Sequence, residues 1–211
     1  MRTRPSREEQ VERNRGLVLA AARRVFLARG YINATLDAIA EEAGFSKGVV
    51  YSQFESKADM FFALLEARIS ERAEQNERLA AHLDGRNLAE AVPELALALR
   101  RAEPQWTHLV LEFRLYAARV PALSERYARL HERTIDALAE IFARLHERAG
   151  STPRYPVQVL AELALGINVG AFLEQLARPA AIDSPFPQVI SELAMQTVQP
   201  RGDEGGSDDR F

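Results

Sequence analysis

The chain has no cysteine and almost no lysine. Without cysteine there is no disulfide, no thiolate metal site and no cysteine nucleophile, an inventory that suits a reducing compartment. Of 27 basic residues only Lys47 and Lys57 are not arginine, and each directly follows a serine that reads as a helix N-cap. A cation in the first turn opposes the positive end of the helix dipole by about 0.3–1 kcal/mol, so both positions ask for negative charge nearby. An apolar signal-peptide core is missing from the polar start MRTRPSREEQVERNRG. Apolar runs are broken by charges or prolines, so no membrane span is expected and the location is read as cytoplasmic.

Catalytic and metal-binding patterns are missing as well. There are four histidines, but His131 and His146 lie fifteen residues apart on one predicted helix. That is about 22 Å at the helical rise, too far for one ion. Neither H-E-x-x-H nor Glu-x-x-His occurs, so no metal site is expected. No nucleophile motif, phosphate loop or telling carboxylate pair appears, which argues against an enzyme and against a resident cofactor.

What is present is ordinary for a soluble globular protein: 47% hydrophobic and 27% charged residues in 211. The net charge of −3 is unevenly spread. Residues 1–57 carry ten Lys+Arg against seven Asp+Glu, and residues 58–211 carry seventeen against twenty-three. A basic front on an acidic body suits a polyanion that meets the front alone.

Alanine, leucine, glutamate and arginine dominate, and no strand-like alternation persists, so the fold class is all-α. A first helix is expected over 8–29, ending at Gly30, and a second from the N-cap Thr35 to Gly44. A third covers 46–53 and a fourth opens at Ser56, where Ser56-Lys57-Ala58-Asp59 resembles a capping box, and runs to about 83. Longer helices follow near 87–101, 104–119, 121–149, 156–178 and 185–198. These divide into an N-terminal three-helix domain over 1–57, a helical domain over 58–199, and a polar, Gly-rich tail over 200–211 expected to be disordered.

Two short helices around Gly44-Phe45 form a helix-turn-helix pattern. At 100° steps Val50 and Phe54 fall on one side of the second helix, able to pack on Leu36, Ile39 and Ala43. The other side presents Lys47, Gly48, Tyr51 and Ser52, with Val49 and Gln53 at its edges. Glycine inside a short helix costs about 1 kcal/mol relative to alanine, but lets a large neighbour approach the backbone. A DNA major groove is such a neighbour, with the preceding helix crossing the backbone. Thr35, Ser46 and Lys57, at three helix starts, would then meet phosphates, and Lys47, Tyr51, Ser52 and Gln53 would reach phosphates or base edges. Val49 would touch a thymine methyl. The bland alternative is a helical hairpin with a polar face, in a protein-interaction scaffold without specific DNA binding.

The run GYINATLDAIAEEAGFSKGVVYSQFESKADMFFALL resembles the DNA-binding domain of the TetR family of transcriptional regulators. The likeness covers roughly residues 8–62. It includes Gly-Tyr after helix one, Thr at the start of helix two, A-x-x-A-G before the turn, S-K-G-x-x-Y-x-x-F, and K-x-x-x-F. It implies a homodimeric, usually repressing, regulator of an operator in double-stranded DNA, whose C-terminal domain binds a small-molecule effector and dimerises through its last two long helices. On that layout the fourth helix is the lever by which an effector spreads the two recognition helices. Ser52 and Gln53 stand where the family often has an aromatic or histidine, so the operator sequence does not carry over.

In the second half, VQVLAELALGINVGAFLEQLARP is apolar around much of its circumference, with Ala161, Ala164, Gly166, Gly170 and Ala171 allowing close helix approach. With the family layout, helices near 156–178 and 185–198 are read as half of a four-helix homodimer interface. The cluster Trp106, His108, Leu109, Glu112, Phe113 and Tyr116, with Phe172, is the effector-pocket candidate. Aromatics at that spacing also suit a plain core.

Overall fold

The computed structural model describes residues 6–82, 104–178 and 198–200. Seven helices are placed: α1 Arg7–Asn33, α2 Leu36–Ala43, α3 Lys47–Tyr51, α4 Lys57–His82, α5 Pro104–Ala117, α6 Pro121–Arg148 and α7 Val157–Ala177. The all-α expectation holds, apart from one antiparallel ladder of three residues a side, β1 Ser151–Pro153 against β2 Val198–Pro200. Residue 198, expected to end a helix, is therefore extended. The helices expected near 87–101 and over most of 185–198, and the tail beyond 200, lie outside the described residues.

The starts and stops follow local chemistry. Ser6 and Glu9 make a reciprocal capping box at α1. Helical geometry breaks at Gly30, which has φ 73° and ψ 172°, and resumes for one short turn to Asn33. Thr35 caps α2 by accepting the Ala38 N–H at 3.1 Å. That helix ends on left-handed Gly44, φ 69°. There the Phe45 N–H reaches Ala40 O and the Gly44 N–H reaches Glu41 O, both at 3.1 Å, so a Schellman motif makes the tight turn into α3. At α4 the Asp59 N–H donates to Ser56 Oγ, while Ser56 Oγ donates to the Asp59 carboxylate, a side-chain variant of the expected box.

The contacts divide the chain into two compact units, one of residues 1–72 and 102–132, the other of 73–101 and 133–211. Packing thus departs from a division at residue 57, because α5 and the start of α6 join the N-terminal helices in one core. Phe26, Phe61, Phe62 and Phe113 are fully enclosed there with Val18, Ile39, Val50 and Met60. Each such side chain contributes on the order of 1.5–3 kcal/mol by leaving water. Phe113 meets Phe61 at 4.4 Å, Tyr31 at 4.7 Å and Phe62 at 5.2 Å between ring centroids.

The second unit has its own smaller core of Leu138, Ala139, Ile141, Leu145 and Ala161. His146 is buried beside it, its Nδ1 2.9 Å from Ser151 Oγ in β1. Burial pushes the imidazole below its ordinary range. Of α7 only Leu160 and Ala161 are buried. By length and composition α7 is apolar enough to cross a bilayer, which corrects the expectation that no segment reaches that length. Its glutamates, Glu162 and Glu174, interrupt the apolar run less than the sequence reading supposed.

Candidate nucleic-acid interface

The second half of the helix-turn-helix sorts its side chains as the helical spacing requires. Val50 and Phe54 are buried in one cluster with Leu36 and Ile39, and Ala43 packs against them. Lys47, Gly48, Tyr51 and Ser52 are exposed, Val49 and Gln53 half-buried. Tyr51 leaves 52% of its surface in solvent, a large aromatic with little protein to cover it. A Cβ on Gly48 would meet only Ser46 Oγ, at 3.9 Å, so packing inside the chain does not require glycine there.

The polar members differ in how free they are. Thr35 is exposed, its hydroxyl already accepting the α2 cap bond. Ser46 makes no side-chain cap bond. Ser52 Oγ donates to Val49 O at 2.9 Å. Gln53 is anchored by its backbone: Arg15 Nη1 donates to its carbonyl at 3.2 Å and lies 4.4 Å from the Phe54 ring centroid. Gln53 Oε1 is buried without a hydrogen-bond partner.

The two lysines find their negative partners inside the protein. Lys47 Nζ donates to Asp37 Oδ2 at 2.6 Å, a bond that holds its ammonium above the ordinary lysine range. Lys57 departs further from expectation. Its ammonium donates to the carbonyls of Tyr31, Ile32 and Ala34 at 2.7, 3.0 and 2.9 Å, and sits 4.6 Å from the Tyr31 ring centroid. These three bonds close the end of α1. Burial lowers its pKa and the Glu112 carboxylate opposes that shift. Three carbonyls converging on one cation arise from residues 31–34 folding back at Gly30, and sequence spacing gives no sign of it.

Glu112 is the counterpart. Its carboxylate accepts the N–H of Tyr31 at 3.0 Å and of Ile32 at 2.9 Å. The peptides just after Gly30 are thus held by an anion on their N–H side and a cation on their carbonyl side. Tyr31 is buried between these groups and its hydroxyl is pushed up to about 12, by burial first and by Tyr116 and Asp59 next. A second link joins α4 to α6: Arg126 pairs with the Asp59 carboxylate and lies 4.1 Å from the Phe62 ring centroid. Bonds from Ser56 and Arg126 hold Asp59 below the usual carboxylate range.

These contacts change the reading of the effector candidates. Trp106, Leu109 and Phe113 are core of the N-terminal unit, and Glu112 is spent on backbone N–H groups. Tyr116 packs on Tyr31 at 5.2 Å, and His108 is exposed. Phe172 is half-buried on α7, in the other unit. The plain-core alternative describes Trp106 and Phe113, because α1 and α4 supply the rings that enclose them, whereas Tyr116 stays exposed.

Residues 18–64 match the family described as bacterial regulatory proteins, tetR family. The chain is 43% identical over 58 residues to the HTH-type transcriptional activator FasR of Mycolicibacterium smegmatis, covering 28% of this chain and 26% of that protein. It is 30% identical over 132 residues to the HTH-type transcriptional regulator YfiR of Bacillus subtilis, covering 60% and 64%. The matched stretch thus spans about a quarter of one curated relative and just under two thirds of the other. Among solved structures, a TetR-family transcriptional regulator from Mesorhizobium loti superposes with a TM-score of 0.71 at 19% identity, over 92% of this chain and 99% of that one. The regulator FadR of Bacillus subtilis, solved with stearoyl-CoA, gives 0.63 at 15%, over 86% and 95%. The exposed face of α3 on a buried Val50–Phe54 seam, the matched N-terminal pattern and the shared fold agree: residues 18–64 match the tetR family of bacterial regulatory proteins, and the chain shares the fold of solved TetR-family structures.

Proposed function

We propose that this chain is a ligand-responsive transcriptional regulator that binds a palindromic operator as a homodimer and acts as a repressor released by a small molecule. The single observation that carries the DNA-binding part is Gly48 beside exposed Lys47 and Tyr51. The chain's own packing does not require a glycine there, and the bare backbone at that position suits the close approach of a nucleic acid seated on α3. Thr35 and Ser46 face phosphates in this reading, Val49, Tyr51 and Ser52 face bases, and Gln53 supports the seat. FadR's stearoyl-CoA is that protein's ligand, and at 15% identity it selects no effector for this chain.

The homodimer reading rests on α7. Val159, Leu163, Gly166, Gly170 and Leu173 recur at alternating steps of four and three, and all are exposed. Such a stripe is the seam of a helix pair, and the two glycines, with nothing within 4 Å of an added Cβ, leave room for close approach. A second copy covers this face in a DNA-binding dimer, and the location that goes with an operator-binding reading is cytoplasmic. Leu163→Glu should turn the dimer into a monomer in sedimentation velocity while α-helix content is kept.

The deciding experiment is fluorescence anisotropy against the intergenic DNA beside the protein's own gene, at two salt concentrations, with unrelated duplex as control. Tight, salt-sensitive and selective binding is expected. A folded dimer that binds neither duplex at low salt returns the protein to the interaction-scaffold reading.

A further inference from the structure

The face turned toward DNA in this reading carries a negative charge that the reading leaves unused. Asp37 lies in the first turn of α2 and Lys47 is the first residue of α3, ten positions later. Their side chains meet at 2.6 Å while remaining 49% and 66% exposed. The pair borders an open cleft of about 600 Å³ lined also by Thr35, Ala38, Ala40, Phe45, Ser46 and a second acid, Glu41. Across residues 34–57 the sequence supplies only two cations, Lys47 and Lys57. All three donors of Lys57 go to the carbonyls that end α1. Asp37 therefore controls the one cation of the recognition segment whose position lets it face a phosphate.

We infer that Asp37 tunes the affinity and salt dependence of the DNA interface: by engaging Lys47 it withholds one phosphate contact per protomer from binding to any duplex, so that affinity rests more on the uncharged side chains of α3. The inference depends on the DNA-binding reading above. Its physical basis is counterion release. Each phosphate neutralised adds about 0.9 to the slope of log K against log salt, which at about 0.1 M salt is roughly an eightfold gain in affinity for any duplex. An acid held against Lys47 withholds that gain from every sequence alike. Exposed pairs of this kind contribute little to folding, so the acid is removable without loss of the fold.

The test uses the full chain and a fluorescent duplex of scrambled sequence, titrated from about 50 to 300 mM KCl. Asp37→Asn should steepen the salt slope by about 0.9 per protomer, about 1.8 for the dimer, and tighten scrambled-duplex binding about eightfold per protomer, roughly sixtyfold for the dimer, at about 0.1 M. It should leave the ratio between intergenic and scrambled DNA unchanged, because a phosphate contact carries no sequence information, with the circular dichroism unchanged as well. In a Lys47→Met background Asp37→Asn should change neither slope nor affinity. Two results overturn the inference: a wild-type slope in Asp37→Asn, or equal tightening with and without Lys47, which would make Asp37 a direct repeller of phosphate. Failure of the wild-type chain to bind any duplex at low salt is a different result, and it removes the DNA-binding reading itself.

Discussion

Replacing Gly30 by alanine tests the joint between α1 and α5. The backbone there has φ 73° and ψ 172°, a region that is essentially glycine's own. Forcing alanine into it costs about 1–3 kcal/mol. The new Cβ would also lie 2.5 and 3.0 Å from the two carboxylate oxygens of Glu112. That carboxylate is the end of a flexible side chain and can swing aside, but only by giving up its bonds to the Tyr31 and Ile32 N–H groups. Charge-assisted bonds of this kind contribute about 1.5–3 kcal/mol each when buried, and the half-exposed setting reduces the pair to roughly 1–2 in total. Alanine's lower entropy in the unfolded chain returns about 0.4–1 kcal/mol. The net loss is about 2–4 kcal/mol, or a fall in Tm of roughly 4–16 °C for a chain of this size. Calorimetry and urea unfolding of Gly30→Ala, Glu112→Ala and the double variant measure it. Because the lost bonds are shared, the double variant should cost less than the sum of the singles by about 1–2 kcal/mol. Additive losses, or a Gly30→Ala variant within about 0.5 kcal/mol of wild type, would refute the clamp.

Lys57→Met should cost about 2 kcal/mol in urea unfolding, since three carbonyls lose a charged donor at a half-buried site. Lys57→Arg should not restore it, because a planar guanidinium does not point three donors at one converging set of carbonyls. His146 sets a pH dependence. Its pKa is depressed below 6.5 in the fold, so the unfolded chain takes up the proton first. Its contribution is full above pH 6.5 and is lost as pH falls toward the folded value. Tm should therefore drop as pH falls below about 6.5, and His146→Gln should flatten the drop; an equal drop in the variant would assign it elsewhere. Tyr51→Ala should weaken binding to the intergenic DNA at least tenfold, about 1.4 kcal/mol, and leave the dimer intact in sedimentation; a monomer would mean that the exposed face is misplaced.

Much of the local structure was legible in the sequence because it depends on neighbours a few residues away. The Thr35 cap, the Gly44 turn and the stop at Gly30 each rest on one residue's own chemistry. The split between buried Val50 and Phe54 and exposed Lys47, Gly48 and Tyr51 rests on 100° of rotation per residue. The boundaries of α4, α5, α6 and α7 followed from prolines, glycines and apolar spacing to within about two residues, the usual fraying of helix ends.

By itself, then, the sequence determined the helices, the turn and which side of α3 stays in water, because these are set by interactions within one or two helical turns. Tertiary structure alone decided what the charged and aromatic groups do. Glu112 lies about eighty residues from the N–H groups it binds, and Asp59 is 67 residues from Arg126. Lys57 closes a helix end that its own segment does not contain. Trp106 and Phe113, which spacing alone left between pocket and core, became core because α1 and α4 fold over them. A side chain's charge is written in the sequence, but its partner is fixed only when the chain returns to it.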